Sequence, residues 1–409
     1  MRPHAQITIL GLNYAPEPTG NAPYTTALAE HLAALGASVH VVTTFPHYPQ
    51  WERQAGLEGR RLVASENGVD VLRVAHYVPR PPRGLRRLRS ELSFGVRAAT
   101  APWHRPDVVV LVSPALFASA KAMVRAVLGR HRRVVWVQDL YYQGMAETGE
   151  GSGFAARIAK ATERWTLRRS HVVVAIHEAM AERIADDLGV PADKIRTIPN
   201  WTHIVPSKLS RREARRALGW EQEGFIALHA GNMGLKQGLE NVVAAARLAD
   251  ALAEPPRFVL LGDGAERERL GVLGTGVSSL AFVDPLPEEH FPLALAAADV
   301  LLVNELPGVR EMAVPSKLTS YLAAGRPIVA AGEPNGVVAR VLSDSGAGTS
   351  VSSGDPAALL EAVLAHRANP AASALEAKAG TAHWREHLSA DAAFRAWVAA
   401  LDAALVTRH

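Results

Sequence analysis

Short runs rich in valine and isoleucine alternate along this chain with longer Ala/Leu/Arg stretches of helical period, and the alternating series occurs twice. A strand buried on both faces reads as a near-continuous apolar run, and its parallel neighbour is reached only through a crossover. The pattern therefore prescribes repeated βα units around parallel sheets. The first series places strands at 7–12, 39–43, 69–74, 108–112, 134–137 and 171–176. The second places them at 225–230, 257–261, 280–282, 300–303 and 328–331. Between the two, PNWTHIVPSKL (199–209) sets two prolines and polar residues ahead of a helix at 211–218, which marks a domain junction. From Asp355-Pro356, an N-cap followed by a proline at the first helical position, the chain reads as helix to its end.

The expected fold class is α/β, with two facing, doubly wound Rossmann-like domains at 1–200 and 201–385 and a last helix at 386–409. In open α/β sheets ligands sit outside the carboxyl ends of the strands, so such a pair is expected to hold its site in an interdomain cleft. A length of 409 residues suits two domains, and 48% apolar against 21% charged residues excludes wholesale disorder. The net charge of +4 is too slight for a nucleic-acid binder, and the absence of cysteine removes thiol chemistry and disulfides. The longest apolar run, 108–120, is closed by Asp107 and Lys121 and broken by Ser113 and Pro114, too short to span a bilayer. The N-terminal stretch lacks the features of a signal peptide, so a cytoplasmic location is expected. No His or carboxylate spacing suits a metal; neither metal nor cofactor is expected.

Function should then lie in the loops after the strands. After the first strand, Gly20 and Asn21 precede an amphipathic helix, where a glycine lets backbone N–H groups approach a phosphate or sugar; an ordinary strand-to-helix turn reads the same way. In the second half, GNMGLKQGLE spaces Gly231, Gly234 and Gly238 around Lys236, a cation fit to neutralise a diphosphate. Lysine is scarce, 7 of the 44 basic residues, which sharpens that reading. Gly262 and Gly264 make another tight turn, without the third glycine of a dinucleotide fingerprint. In PSKLTSYLAAGRPIVA, Ser316 caps a helix beginning at Lys317 and ending at Gly325, with a strand from Pro327; such a helix start beside a lysine is an anion site.

These blocks match a known family. NYAPEPTGNAPY (13–24), TTFPHYPQW (43–51), VQDL (137–140), IPNW (198–201), GNMGLKQGLE (231–240), LLGDG (260–264) and PSKLTSYLAAGRPIVA (315–330) run in order through both halves. On them the chain resembles the retaining nucleotide-sugar glycosyltransferases of family 4, of GT-B fold, and most of all the colanic-acid-type branch of exopolysaccharide assembly. The resemblance implies an acceptor-binding first domain, a nucleotide-sugar-binding second domain and a last helix that crosses back to the first. It implies donor contacts at Gly20, Asn21, Gly231, Asn232, Lys236, Gly262, Gly264, Val283, Pro285, Ser316, Lys317 and Leu318, and acceptor-side contacts at Tyr14, His47, Tyr48 and Trp51. The co-substrate implied is a nucleotide sugar, and the acceptor a glycan or a polyprenyl-linked one.

Two departures stand out. Counting back from Gly325 puts the family's two glutamates, separated by seven residues, at Met312 and Ser320. Ser320 therefore stands where ribose is held, and Glu305 or Glu311 could replace the first acid. The family's histidine is replaced at Gln138-Asp139, which leaves Asp139 as the candidate base. Lys236 and Lys317 would then stabilise the leaving diphosphate without a metal. Arg80, Arg83, Arg86, Arg87 and Arg89 form a basic cluster that could meet anionic lipid at the inner face of the plasma membrane, or be a solvated face. Competing readings are a sugar-nucleotide epimerase of the same fold, a secondary-metabolite glycosyltransferase and a non-catalytic GT-B scaffold. Product analysis without acceptor exposes the first, and failure to bind any nucleotide favours the last.

Overall fold

The computed structural model describes residues 4–18, 20–54, 59–80, 84–143, 153–202, 204–308 and 316–406, apart from the side chains of Leu85 and Ser316. The chain divides into two units, 1–200 with 393–409, and 201–392. Each is built on a largely parallel sheet.

The first unit's strands are β1 Gln6–Leu10, β2 Ser38–Thr44, β3 Arg61–Glu66, β4 Val69–Val74, β5 Val108–Val112, β6 Arg132–Val137, β7 Val172–Ala175 and β8 Ile195–Thr197. They lie in the order β3-β4-β2-β1-β5-β6-β7-β8, parallel except for β3, which runs antiparallel to β4. Helices α1 Ala22–Ala34, α2 Gly84–Thr100, α3 Leu116–Leu128, α4 Gly153–Arg168 and α5 Glu178–Asp186 connect them. β5, VVVLV, is buried along its whole length, as a central parallel strand covered on both faces must be. The chain winds outward from β1 in one direction and from β5 in the other. The topological switch point therefore falls between these two strands, where a crevice opens at their carboxyl ends.

The second unit repeats the plan. It comprises α6 Arg211–Leu218, β9 Ile226–Ala230, α7 Glu240–Ala249, β10 Arg257–Leu261, α8 Arg267–Leu273, β11 Leu280–Val283, α9 Phe291–Ala297, β12 Val300–Asn304, α10 Ser316–Ala324, β13 Ile328–Gly332, α11 Val337–Ser345, β14 Gly348–Ser352, α12 Pro356–Ala368 and α13 Pro370–His383. The six-stranded parallel sheet has the order β11-β10-β9-β12-β13-β14, which puts its switch point between β9 and β12. A Ser210–Glu213 capping box starts α6 directly after the junction. Below the sheet Asp299 takes Arg215 Nη2 at 2.6 Å and the Ile226 N–H at 2.7 Å, both partners buried, and it also pairs with Arg211. That buried network pins α6 to the starts of β9 and β12.

Asp355 caps α12 by accepting the Ala358 N–H at 2.9 Å. The last helix, α14 Ala390–Val406, belongs with the first unit from Ala393 onward. Its Trp397 is fully buried edge-on to Trp136, ring centroids 4.6 Å apart, and Phe394 stacks on His31 at 4.1 Å. The interior strands lie where the apolar runs place them. β3, β8 and β14 carry no such run (RLVASE, IRT, GTSVS); they are edge strands with solvent-exposed residues.

Candidate functional site

At the first unit's switch point lies a pocket of about 390 Å³. Its wall comes from the loops after β1 (Leu12, Asn13), β2 (His47, Tyr48, Trp51), β5 (Ser113, Pro114) and β6 (Gln138, Asp139), from Gly20 and Asn21 ahead of α1, and from Arg87, Ser90 and Glu91 on α2. Gly20 sits at φ +67°, and a Cβ there would come within 3.3 Å of the Tyr48 ring, so the turn requires glycine. The Asn21 amide donates to the Ser113 carbonyl at 3.0 Å, tying the start of α1 to the loop after β5. Gln138 and Asn200 exchange amide hydrogen bonds at 2.7 and 3.3 Å; the Gln138 side chain thus fixes the strand end beside the exposed Asp139.

Two buried carboxylates shape this pocket, and neither was picked out by the sequence. Glu17 accepts the backbone N–H groups of His47 and Tyr48 at 2.8 and 2.9 Å and the Asn13 amide at 2.7 Å, with His47 Nδ1 at 3.2 Å. Burial alone would raise its pKa, but the hydrogen bonds from His47, Tyr48 and Asn13 win and hold it below the usual carboxylate value. Glu91 lies in the wall itself, 2% exposed. Burial pushes it up to about 7 against the pull of Arg87, the Phe117 N–H and the Tyr141 hydroxyl. His47, Tyr48 and Trp51 do line the pocket, whereas Tyr14 does not: its side chain is 3% exposed and packed in the core. His47 touches Glu17, Thr44 and the Phe45 carbonyl, so it also braces its own loop.

The arginines of the α2 region are largely engaged. Arg80 pairs with Glu52 at 2.6 Å and donates to the Trp51 carbonyl, Arg86 donates to the Arg80 carbonyl, Arg87 lies 3.8 Å from Glu91, and Arg89 stacks over Tyr77. Arg80 and Arg87 thus brace the pocket residues Trp51 and Glu91; Arg83 lies outside the described residues.

In the second unit the candidate residues gather at the other switch point. Lys317, in the first turn of α10, brings its ammonium to 3.2 Å from His229 Nε2, and its side chain runs along Gly231. His229 is fully buried; burial first, and the Lys317 charge second, hold its pKa well below the imidazole range, so the neutral ring accepts from the lysine. Tyr321, one turn on, accepts the Ala230 N–H at 2.7 Å and ties α10 to the end of β9. Lys236 projects from a short turn, Leu235–Gln237, and the carbonyls of Gln237 and of Gly238, which follows the turn, accept the Asn304 amide at 2.9 and 2.8 Å. His229, Tyr321 and Asn304 are positioning residues without a motif of their own; only their nearness to the glycine loops could have flagged them.

The Gly231 and Gly262 loops touch. A Cβ on Gly262, at φ +129°, would stand 2.1 Å from the Gly231 carbonyl, so that glycine serves backbone packing whatever else it does. Asn232 and Pro285 are exposed, and Val283 is partly buried at the end of β11. Glu305 is 8% exposed, its carboxylate against Gly332, where a Cβ would lie 2.6 Å from Oε2. The Leu318 side chain is fully buried in the core, which leaves only its backbone to a ligand. Ser320 is 7% exposed, 3.1 Å from the Thr202 hydroxyl. The helix begins at Ser316 itself, one residue before the expected start; the proposed Ser316 cap, Glu311 and Met312 lie outside the described residues. Among the described residues no three His, Asp or Glu side chains gather as a metal site would need, and no helix is long and apolar enough to cross a membrane.

The Glycosyl transferase 4-like domain family matches residues 19–201, and the Glycosyl transferases group 1 family matches residues 224–369. Over 339 residues the chain is 34% identical to WcaI of Escherichia coli (strain K12), a glycosyl transferase assigned to colanic acid biosynthesis, covering 78% of this chain and 81% of that one. It is 26% identical over 285 residues to the glycosyltransferase WbjE of Pseudomonas aeruginosa, covering 68% and 70%. Among solved structures, Anabaena Alr3699/HepE in complex with UDP superposes with a TM-score of 0.65 at 14% identity, covering 97% of this chain and 99% of that one. Two parallel-sheet units with these matches identify the chain as a glycosyltransferase, a member of family 4 with the GT-B fold.

Proposed function

We propose that the chain transfers a sugar, with retention, from a nucleoside diphosphate sugar to a hydroxyl of a glycan or polyprenyl-linked acceptor in exopolysaccharide or cell-envelope assembly. The observation that carries this reading is the Lys317 ammonium at the start of α10, beside Gly231 and braced by neutral His229. The first N–H groups of a helix have no acceptor within it, and they combine with a fixed ammonium into a site for a developing diphosphate charge. Lys236, on its clamped turn, adds a second cation. Two lysines and a helix start supply the charge stabilisation of the leaving group from the protein's own groups, so transfer is expected to persist in EDTA. The pocket of the first unit takes the acceptor. Its hydroxyl attacks the anomeric carbon as the bond to the diphosphate breaks, and its proton passes to the leaving diphosphate oxygen or to Asp139.

The experiment is a thermal-shift panel of nucleoside diphosphates and their sugars, followed by an acceptor screen with the anomeric configuration of the product read by proton NMR. One nucleotide raising Tm, with the shift lost in Lys317→Ala, is the expected result. If no nucleotide shifts Tm at millimolar concentration, the donor site is refuted and a non-catalytic scaffold becomes the better reading. An inverted product would refute retention alone.

A further inference from the structure

Helix α4 has two unlike faces. Ala159, Glu163, Thr166 and Leu167 point inward and are at most 2% exposed. The outward face carries Phe154 at 66%, Ile158 at 44% and Trp165 at 37% exposure, with Ala161 between them. These residues recur at i, i+4, i+7 and i+11, one column along the helix. Arg157, Arg164 and Arg168, all exposed, form a second column beside it, extended by Arg169. The helix's one acidic residue, Glu163, is turned inward, where its carboxylate accepts the Tyr141 and Tyr142 N–H groups at 2.9 and 3.2 Å. Among the described residues none of the four arginines makes an ion pair, and Arg157 Nε donates to the Gly153 carbonyl of its own helix at 3.1 Å. Arg164, Trp165, Arg168, Arg169 and Ala161 line an open depression of about 490 Å³ on this face.

We infer that the outer face of α4 docks onto an anionic lipid bilayer, its arginines on lipid phosphates and Phe154, Ile158 and Trp165 in the interfacial layer. Large apolar side chains beside unpaired guanidinium groups are what a charged interface accommodates: the rings and aliphatic stems leave water while the charges meet headgroups. A second copy of the same face is disfavoured because like charges would be apposed. A nucleic acid would use the arginines but leave Phe154 and Ile158 in water. The α2 arginines are poorer candidates, because Arg80, Arg86, Arg87 and Arg89 are committed to neighbouring groups. The inference gives the proposed lipid-linked acceptor a surface to be met on, and for that purpose it rests on the reading above.

The test is co-sedimentation of the full chain with phosphatidylcholine vesicles with and without phosphatidylglycerol, at low and high salt, with neither donor nor acceptor present. Failure here and failure of transfer are thereby read separately. Binding to the anionic vesicles only, weakened by salt, is expected. Combined Arg157→Gln, Arg164→Gln and Arg168→Gln should lower the partition coefficient about a hundredfold, since each basic residue near such a surface contributes roughly fivefold. Trp165→Ser with Phe154→Ser should weaken it further at high salt, and all five side chains are exposed, so unchanged circular dichroism is expected. Absence of binding to anionic vesicles, undiminished binding of the triple arginine variant, or equal loss on Arg86→Gln and Arg89→Gln would each overturn the inference. So would preferential binding of duplex DNA or RNA, or arginine-dependent dimerisation, in place of lipid binding.

Discussion

Glu91→Gln offers a sharp test of the physics of the first unit's pocket. The carboxyl is 2% exposed and pushed up to about 7 by burial, which outweighs Arg87, the Phe117 N–H and the Tyr141 hydroxyl. In the unfolded chain it titrates near the ordinary glutamate value of 4.5. The folded protein therefore binds the proton more tightly, and stability falls as pH rises from about 4.5 to about 7, after which the full cost remains. The gap between 4.5 and about 7, at about 1.36 kcal/mol per pH unit, amounts to roughly 3 kcal/mol. Glutamine is neutral at every pH and can still accept the Phe117 N–H. The variant should gain on the parent with pH, from near parity at pH 5 to about 3 kcal/mol at pH 8. At roughly 2–4 °C per kcal/mol for a unit of this size, the Tm difference should open by about 6–12 °C. Glu163, also buried and pushed to about 7, biases both proteins alike and cancels in the difference. Scanning calorimetry at a series of pH values measures it. A Tm difference that stays flat between pH 5 and pH 8 would show that Arg87 keeps Glu91 ionised throughout, and would refute the reasoning.

Other consequences follow from single contacts. Lys317→Met removes a charge-assisted contact worth about 1.5–3 kcal/mol, so nucleoside diphosphate affinity should fall roughly 10- to 100-fold by calorimetry; unchanged affinity would remove the lysine from the donor site. Gly262→Ala places a methyl 2.1 Å from the Gly231 carbonyl and should yield little folded protein, judged by proteolysis and circular dichroism. Asp299→Ala leaves the buried Arg215 without its carboxylate and should destabilise the second unit by about 3–5 kcal/mol in urea, whereas a loss below 1 kcal/mol would mean the network is idle.

Most of the interior architecture could be read from apolar runs, because a strand covered on both faces has to spell its burial in sequence. The edge strand β3 could not, since Arg61, Leu62 and Val63 all face solvent and alternate with nothing the core requires. The glycine loops were legible because turns and close approaches leave few residue choices. What was missed are the groups that act at a distance in sequence. Glu91 reaches the pocket from the middle of a helix, Glu17 reaches His47 and Tyr48 from thirty residues before, and His229 braces Lys317 from an adjoining strand. Tyr14 stands in the same block as Glu17 yet is packed in the core.

Glu91 lines the pocket and Glu17 sits behind it, holding the backbone of His47 and Tyr48, and the two are biased in opposite directions, which makes them a matched pair. Glu17 is held below the usual carboxylate value by hydrogen bonds that outweigh its burial, so its contribution has the opposite sign. It stabilises the fold at pH values above the unfolded pKa and loses that contribution as pH falls through the folded one. A charged acceptor of two backbone N–H groups is worth about 1.5–3 kcal/mol per charge-assisted bond, and a neutral amide is roughly half as strong. Glu17→Gln should therefore be less stable than the parent by about 1–3 kcal/mol at pH 7, and the gap should close as pH falls below 4.5. The loop carrying His47, Tyr48 and Trp51 should loosen with it, seen as faster amide exchange at the His47 and Tyr48 N–H groups that now donate to Glu17. General effects of pH on a two-unit protein shift both variants the same way, whereas these two carboxylates must diverge from the parent in opposite directions. If both variants moved together, local hydrogen bonding and burial would not be what separates the two groups.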